Sequence, residues 1–227
     1  MSQGTFVKGA ASSQPRPRVT LRIVRADGGP EAQIPMHADQ LLCGRRADVQ
    51  IADDPFVADQ QARFFFNSGH LAAEDLAGGN GVFVRLRQEH ELPAGAEVRL
   101  GRQRLVVEAI PAATPGPGGT VQWGSPDPGL RFRMVQLLEG HRRGAAWPLK
   151  DGENTLGREV GDITFPTDGF VSGRHAVLTV HGNRLLIRDL GSSNGSFIRL
   201  AGPTFVEDGD QFLIGRQLVR VDVKSVA

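Results

Sequence analysis

Three features of the sequence predict an all-β protein made of two similar sandwich domains. Short runs of alternating or β-branched apolar residues recur, with Gly, Pro, Asn or Asp in several of the gaps. Nothing between them sustains a 3.6-residue period, and closely spaced short strands are the pattern of a sandwich or barrel. The second half of the chain also repeats the first, which makes two copies of one fold the expected organisation.

Residues 1–18 are polar and end in Gln14-Pro15-Arg16-Pro17-Arg18, so they read as a mobile tail. From Val19 the alternation Val-Thr-Leu-Arg-Ile-Val predicts a half-buried strand, closed by a turn at Asp27-Gly28-Gly29-Pro30. Further strands are expected at Leu41–Cys43, Val49–Ile51, Ala62–Phe66, Gly81–Leu86, Glu97–Leu100 and Leu105–Ile110. Residues 111–128 are rich in Pro and Gly, which remove ladder donors and raise the entropic cost of order, so they read as a linker. Trp123 within it is expected to pack on one of the domains. Alternation restarts at Leu130-Arg131-Phe132-Arg133-Met134-Val135. The expected organisation is therefore a tail at 1–18, a domain at 19–110, the linker, and a second domain at 129–227.

The repeat has a step of 114. It carries Phe56, Val57 and Ala62 onto Phe170, Val171 and Ala176, and Asp75, Leu76, Asn80, Gly81 and Phe83 onto Asp189, Leu190, Asn194, Gly195 and Phe197. Gly101-Arg102-Gln103 falls on Gly215-Arg216-Gln217. Gly44-Arg45 matches Gly157-Arg158 at 113, so the second copy has gained one residue before Phe170.

Composition narrows the function. Lys plus Arg is 26 against 25 for Asp plus Glu, a formal net charge of +1, which provides no basic field for nucleic acid or an acidic membrane. The single cysteine, Cys43, excludes an internal disulfide and a Cys-rich zinc site, and the six histidines lack ligand spacing, so neither metal nor cofactor is expected. No signal-peptide core and no run of about 18 apolar residues is present, and the chain is expected to be cytoplasmic.

The second copy gathers phosphate-binding chemistry at the mouths of its strands: Gly157-Arg158, then Ser172-Gly173-Arg174-His175, then Asp189-Leu190-Gly191-Ser192-Ser193-Asn194-Gly195-Ser196-Phe197. A phosphate ester carries nearly two negative charges and three acceptor oxygens, so a reader needs a fixed cation and several converging donors. These motifs, in this order with strand-like runs between them, resemble the forkhead-associated (FHA) domain, a phosphothreonine-binding β-sandwich. The resemblance covers about 19–110 and 130–224. It implies that Arg158, Ser172 and Ser193 bind phosphate and that Asn194 grips the ligand backbone. It further implies that His175, with Gly157 and Gly195, supports the loops. Gly173 stands where the family often has a basic or amide residue, and Arg174 either supplies that contact or points outward. Arg199 stands where a turn asparagine is common, which puts the adjoining loop in question.

The first copy has lost most of this set: Ala58 replaces Ser172, Gln61 replaces His175 and Gly79 replaces Ser193, leaving Arg45 and Asn80. It reads as a degenerate copy kept for packing, dimerisation or phosphate-independent contacts. Enzymatic readings fail on context. Gly191-Ser192-Ser193-Asn194-Gly195 matches Gly-x-Ser-x-Gly, but strand-like residues follow it and the last histidine, His181, precedes it. Gly152–Arg158 lacks the lysine and the hydroxyl of a nucleotide-binding loop. The expectation is a non-enzymatic phosphothreonine adaptor in a Ser/Thr-kinase pathway, with a phosphate-independent scaffold as the alternative. Thr5 in the tail, ahead of Thr114 and Thr120 in the linker, is a candidate internal ligand, against the plainer reading of solvated residues.

Overall fold

The computed structural model describes residues 16–24 and 29–225, and almost all of its regular structure is strand. In chain order the strands are β1 (Arg18–Val24), β2 (Ala32–Pro35), β3 (Gln40–Gly44), β4 (Val49–Gln50), β5 (Ala62–Asn67), β6 (His70–Asp75) and β7 (Val82–Arg85). They are followed by β8 (His90–Glu91), β9 (Glu97–Leu100), β10 (Gln103–Ala109), β11 (Phe132–Leu137), β12 (Arg143–Pro148), β13 (Gly152–Gly157) and β14 (Ile163–Thr164). The last six are β15 (Ala176–His181), β16 (Arg184–Asp189), β17 (Ser196–Arg199), β18 (Thr204–Phe205), β19 (Gln211–Ile214) and β20 (Gln217–Lys224).

The two compact units do not coincide with the two sequence repeats. One consists of residues up to Arg85 together with Phe197 onward, and the other of Leu86–Ser196. Each unit therefore joins the front of one repeat to the back of the other. The expected domains at 19–110 and 129–227 are replaced by an exchange of C-terminal strands within the chain.

In the first unit β1 pairs along its whole length with β20, from Arg18 opposite Lys224 to Val24 opposite Leu218. This sheet runs β2-β1-β20-β19-β7, and β7 also pairs with Phe197–Arg199 of β17. The facing sheet runs β18-β6-β5-β3-β4. The core between them combines Val19, Leu21, Phe64 and Val84 with Val206, Phe212, Ile214, Val219 and Val221. Phe64 and Phe212 meet edge to face with centroids 5.2 Å apart, a contact between the two repeats inside one core. Cys43 is buried here, and burial pushes its thiol pKa up, which leaves it unreactive.

The second unit is assembled the same way. Its sheets run β12-β11-β10-β9 and β14-β13-β15-β16-β8. Strand β11 pairs with β10, from Leu105 opposite Gln136 to Ala109 opposite Phe132, and β8 pairs with β16 through His90 and Ile187. Leu92, Val98, Leu100, Leu105 and Val107 from the first repeat are buried in the same unit as Met134, Leu156, Leu178 and Ile187 from the second. Residues 111–128 form no strand and hold one short 3₁₀ turn, Pro117–Gly119. Trp123, expected to pack, is 99% exposed. The tail expected at 1–18 falls mostly outside the described residues, but Arg18 already belongs to β1, and Arg16 lies over the Phe66 ring. No helix among the described residues is long and apolar enough to cross a membrane.

Candidate functional site

The sequence motifs of the second copy all lie in the second unit, on the turns that leave β13, enter β15 and leave β16. Gly157 ends β13, and its backbone passes so close to the next loop that a Cβ there would sit 2.2 Å from the Gly173 carbonyl oxygen and 2.5 Å from that of Val160. Only glycine permits that approach. It allows Arg158 N–H to donate to the Ser172 carbonyl at 2.9 Å, which docks the arginine loop onto the serine loop. The Arg158 guanidinium, over a third exposed, donates to Glu159 Oε1 from Nε at 3.0 Å and from Nη2 at 2.7 Å.

Ser172 joins the third loop. Its Oγ accepts the Ser193 N–H at 3.1 Å, so the two serine-bearing loops are stitched together at the residues that the sequence singles out. Asn194 Nδ2 donates to the Phe170 carbonyl at 2.8 Å, closing the same gap a second time. Ser193, Asn194 and Arg174 are exposed, and Ser172 and Arg158 are half-buried.

His175 is fully buried beneath this surface. Its Nδ1 accepts the Ser172 N–H at 3.0 Å and its Nε2 lies 3.2 Å from the Gly195 carbonyl oxygen. A carbonyl only accepts and an N–H only donates, so the ring is neutral with its proton on Nε2. Burial pushes its pKa below the ordinary histidine value, against the raising effects of the Gly195 bond and the Asp189 and Asp168 charges.

Three contributors here went unrecognised in the sequence. Ser192, adjacent to the singled-out serine, is buried; its Oγ donates to Asp189 Oδ2 at 2.8 Å and accepts the Gly195 N–H at 2.9 Å. Burial alone would raise the Asp189 carboxyl, but hydrogen bonds from Ser196 and Ser192 outweigh it and hold the pKa low. The third is Asp168, only 4% exposed, which organises the Phe170 loop by accepting the Phe170 N–H at 3.0 Å. Its other oxygen accepts the Arg102 N–H at 2.8 Å and Gln103 Nε2 at 2.7 Å, so a hairpin of the first repeat is fixed onto the site of the second. A carboxylate two residues before an aromatic in both repeats was the available signal, at Asp54 and Asp168.

A model of the FHA domain matches residues 41–101 and 154–215, more than half of the chain. The chain belongs to the FHA family. FHA domains are phosphopeptide-binding modules. The chain is 33% identical over 72 residues to the FHA domain-containing protein FhaB of Mycobacterium tuberculosis, a match covering 32% of this chain and 46% of that protein. The chain thus spans about half the length of the curated relatives it matches. Among solved structures it is similar to the FHA domain of the CT664 protein from Chlamydia trachomatis, at 26% identity over 35% of this chain and 85% of that one, with a TM-score of 0.22. It is also similar to an FHA domain solved in work on phosphothreonine-dependent FHA interactions, at 27% identity over 41% of this chain and 98% of that one, with a TM-score of 0.25.

The corresponding FHA surface of the first unit keeps the frame and loses the hydroxyls. Arg45 N–H donates to the Ala58 carbonyl at 3.0 Å, and Asn80 Nδ2 to that of Phe56 at 3.0 Å. Gln61 stands in for His175: its Oε1 accepts the Ala58 N–H at 3.1 Å and its Nε2 donates to Asp75 Oδ1 at 2.8 Å. Asp59, at the Gly173 position, places its carboxylate 3.2 Å from Arg45 and 3.7 Å from Arg46. Arg199 lies in this unit, where its guanidinium donates to the Gly78 carbonyl and approaches Asp75 Oδ2 at 3.5 Å, bracing the loop before Asn80. Among the described residues no group of three or more His, Cys, Asp or Glu is placed to hold a metal ion. Thr5 lies outside the described residues.

Proposed function

We propose that the chain is a phosphothreonine-dependent adaptor that binds its partner through the second unit, with Arg158, Ser172, Ser193 and Asn194 as the phosphopeptide contacts. The observation that carries this reading is the bond between Ser193 N–H and Ser172 Oγ. It brings two hydroxyl-bearing loops together beside an arginine whose charge partner among the described residues is the neighbouring, well-exposed Glu159. An exposed ion pair of that kind is worth about 0–1 kcal/mol, so a dianionic phosphate, with three acceptor oxygens, displaces Glu159 readily.

Asn194 spends an N–H on Phe170 and keeps its side-chain oxygen to accept from the peptide backbone. Arg174 is the peripheral cation of the set, exposed on the same loop, and adds attraction without fixed geometry. The first unit serves phosphate-independent contacts, because Ala58 and Gly79 offer no hydroxyls beside Arg45 where Ser172 and Ser193 stand beside Arg158. A phosphoprotein produced by a Ser/Thr kinase is the partner class. The test is calorimetry of the full chain with a threonine peptide in phosphorylated and unphosphorylated forms: binding of the phosphorylated form alone is expected, and equal affinity for both overturns the reading in favour of a scaffold.

A further inference from the structure

At the margin of the second unit's surface, Arg102 of the first repeat lies over the ring of Phe170 of the second, with its guanidinium carbon 4.9 Å from the ring centroid. We infer that this pair forms a side-chain subsite for an acidic residue flanking the phosphothreonine, so that the exchanged hairpin sets the sequence preference of a site it does not otherwise belong to. The inference rests on the phosphopeptide reading above.

The position of Arg102 is built rather than incidental. Its backbone N–H and the Gln103 amide are both held by the buried Asp168 carboxylate. Gly101 before it has φ +55°, and a Cβ there would lie 2.8 Å from Val171 Cγ2, so the hairpin sits hard against the Phe170 loop. The Arg102 residue itself remains exposed. Phe170 is 48% exposed, and its carbonyl receives Asn194 Nδ2, which ties the ring to the residue proposed to hold the ligand backbone.

A guanidinium held over an aromatic ring is attracted to the ring's face, and its N–H fork matches a carboxylate in two-point geometry. An aspartate or glutamate in the bound peptide therefore meets a preoriented cation. The first unit carries the same pair in a less open form: Arg216 lies 5.6 Å from the Phe56 ring and has Nε 3.5 Å from Asp54 Oδ1, so part of its charge is already matched.

Because the backbone of Arg102 does the structural work, its side chain can be exchanged with the hairpin in place. The experiment measures fluorescence anisotropy of the full chain with phosphothreonine peptides in which alanine, glutamate or lysine is scanned through the flanking positions. Arg102→Gln, Arg102→Glu and the control Arg216→Glu are compared with the wild type, each first shown to melt cooperatively. Glutamate at one flanking position is expected to tighten wild-type binding about three- to tenfold over alanine. Arg102→Gln should abolish that preference and Arg102→Glu reverse it in favour of lysine. Arg216→Glu should change nothing, and the all-alanine peptide should bind all four proteins alike. A wild type that binds phosphothreonine without any acidic preference, or a preference that survives Arg102→Glu, overturns the inference alone. Failure of the wild type to bind any phosphorylated peptide overturns the function proposed above and this inference with it.

Discussion

The two units share a frame and differ in what the frame presents. In both, a buried aspartate, Asp54 or Asp168, receives the N–H groups of its own aromatic loop and of a hairpin from the other repeat. In both, a glycine, Gly44 or Gly157, lets the arginine loop touch the next. Beneath, Gln61 and His175 each accept one backbone N–H, and each donates on its other side. The differences lie at the surface: Ala58 and Gly79 in place of Ser172 and Ser193, and Asp59 in place of Gly173. Frame and surface chemistry therefore vary independently in this chain: the first unit keeps the hydrogen-bonded frame without the two serine hydroxyls.

Each unit is assembled from both repeats, and cutting the chain tests that with an all-or-none outcome. A protease site placed in the exposed linker around Trp123 separates the repeats covalently. Exchange means that β20 still pairs with β1 in one unit and β10 with β11 in the other. The two fragments are expected to co-elute on native size exclusion and to separate only in denaturant. Fragments that part under native conditions would show that each repeat folds on itself.

The exchange was illegible in the sequence for a physical reason. The pairing chemistry is the same whichever way the repeats combine. Arg22 of β1 pairs with Asp222 of β20, and one step of the repeat away Glu108 stands where Asp222 does and pairs with Arg133. Likewise Gly101-Arg102 and Gly215-Arg216 offer the same backbone N–H, that of the arginine, to Asp168 and Asp54. Alternation reports which face of a strand is buried, not which copy of the partner buries it. The all-β class, the two copies and strands such as Glu97–Leu100 were legible because hydrophobic period and punctuation are local. Strand β6, His-Leu-Ala-Ala-Glu-Asp, was missed because its alanines carry little strand preference; it is held by the Ser68-Gly69 turn, where both residues have positive φ. At the site, the surface motifs were visible as a family pattern. Ser192, Asp189 and Asp168 were not recognised, because their roles depend on three-dimensional closure.

The next largest difference between the units should be in phosphopeptide affinity. Arg158→Ala removes charge-assisted bonds worth about 1.5–3 kcal/mol each, so binding by the full chain should weaken tenfold or more. Arg45→Ala, which removes a cation that has no serine hydroxyls beside it, should leave affinity within about twofold. Calorimetry of both variants decides it, and an equal loss from each would mean that the units are not distinguished as proposed.

A smaller effect is expected from restoring the first unit. Asp59→Gly frees Arg45, and Ala58→Ser with Gly79→Ser replaces the missing hydroxyls on a frame that Gln61 and Asn80 already maintain. The triple variant should raise the stoichiometry of phosphothreonine peptide from one to two per chain, with the new site weaker than the native one. If stoichiometry stays at one, the first unit has lost more than these three positions.

The finest distinction between the units is between Gln61 and His175, and pH exposes it. Burial lowers the His175 pKa in the folded state, so the neutral ring is the form that folding favours. A depressed folded pKa means that the stabilisation is fully present above the unfolded value of about 6.5. It is lost as pH falls from there through the folded value, because protonated Nδ1 can no longer accept the Ser172 N–H. Asp189 behaves likewise but in a lower window, below about pH 4, where ordinary carboxyls titrate. The amide of Gln61 does not titrate, so the first unit lacks the histidine-dependent loss. Replacing His175→Gln should therefore leave peptide binding at pH 7.5 within about threefold, since Gln61 makes the equivalent pair of bonds in the other unit. It should also flatten the fall in melting temperature between pH 7 and 5. Peptide affinity should still drop over that range in both proteins, because the phosphate itself takes up a proton near pH 6. Melting curves of the two proteins with the same pH dependence from 7 to 5 would show that His175 does not couple its proton to the serine loop.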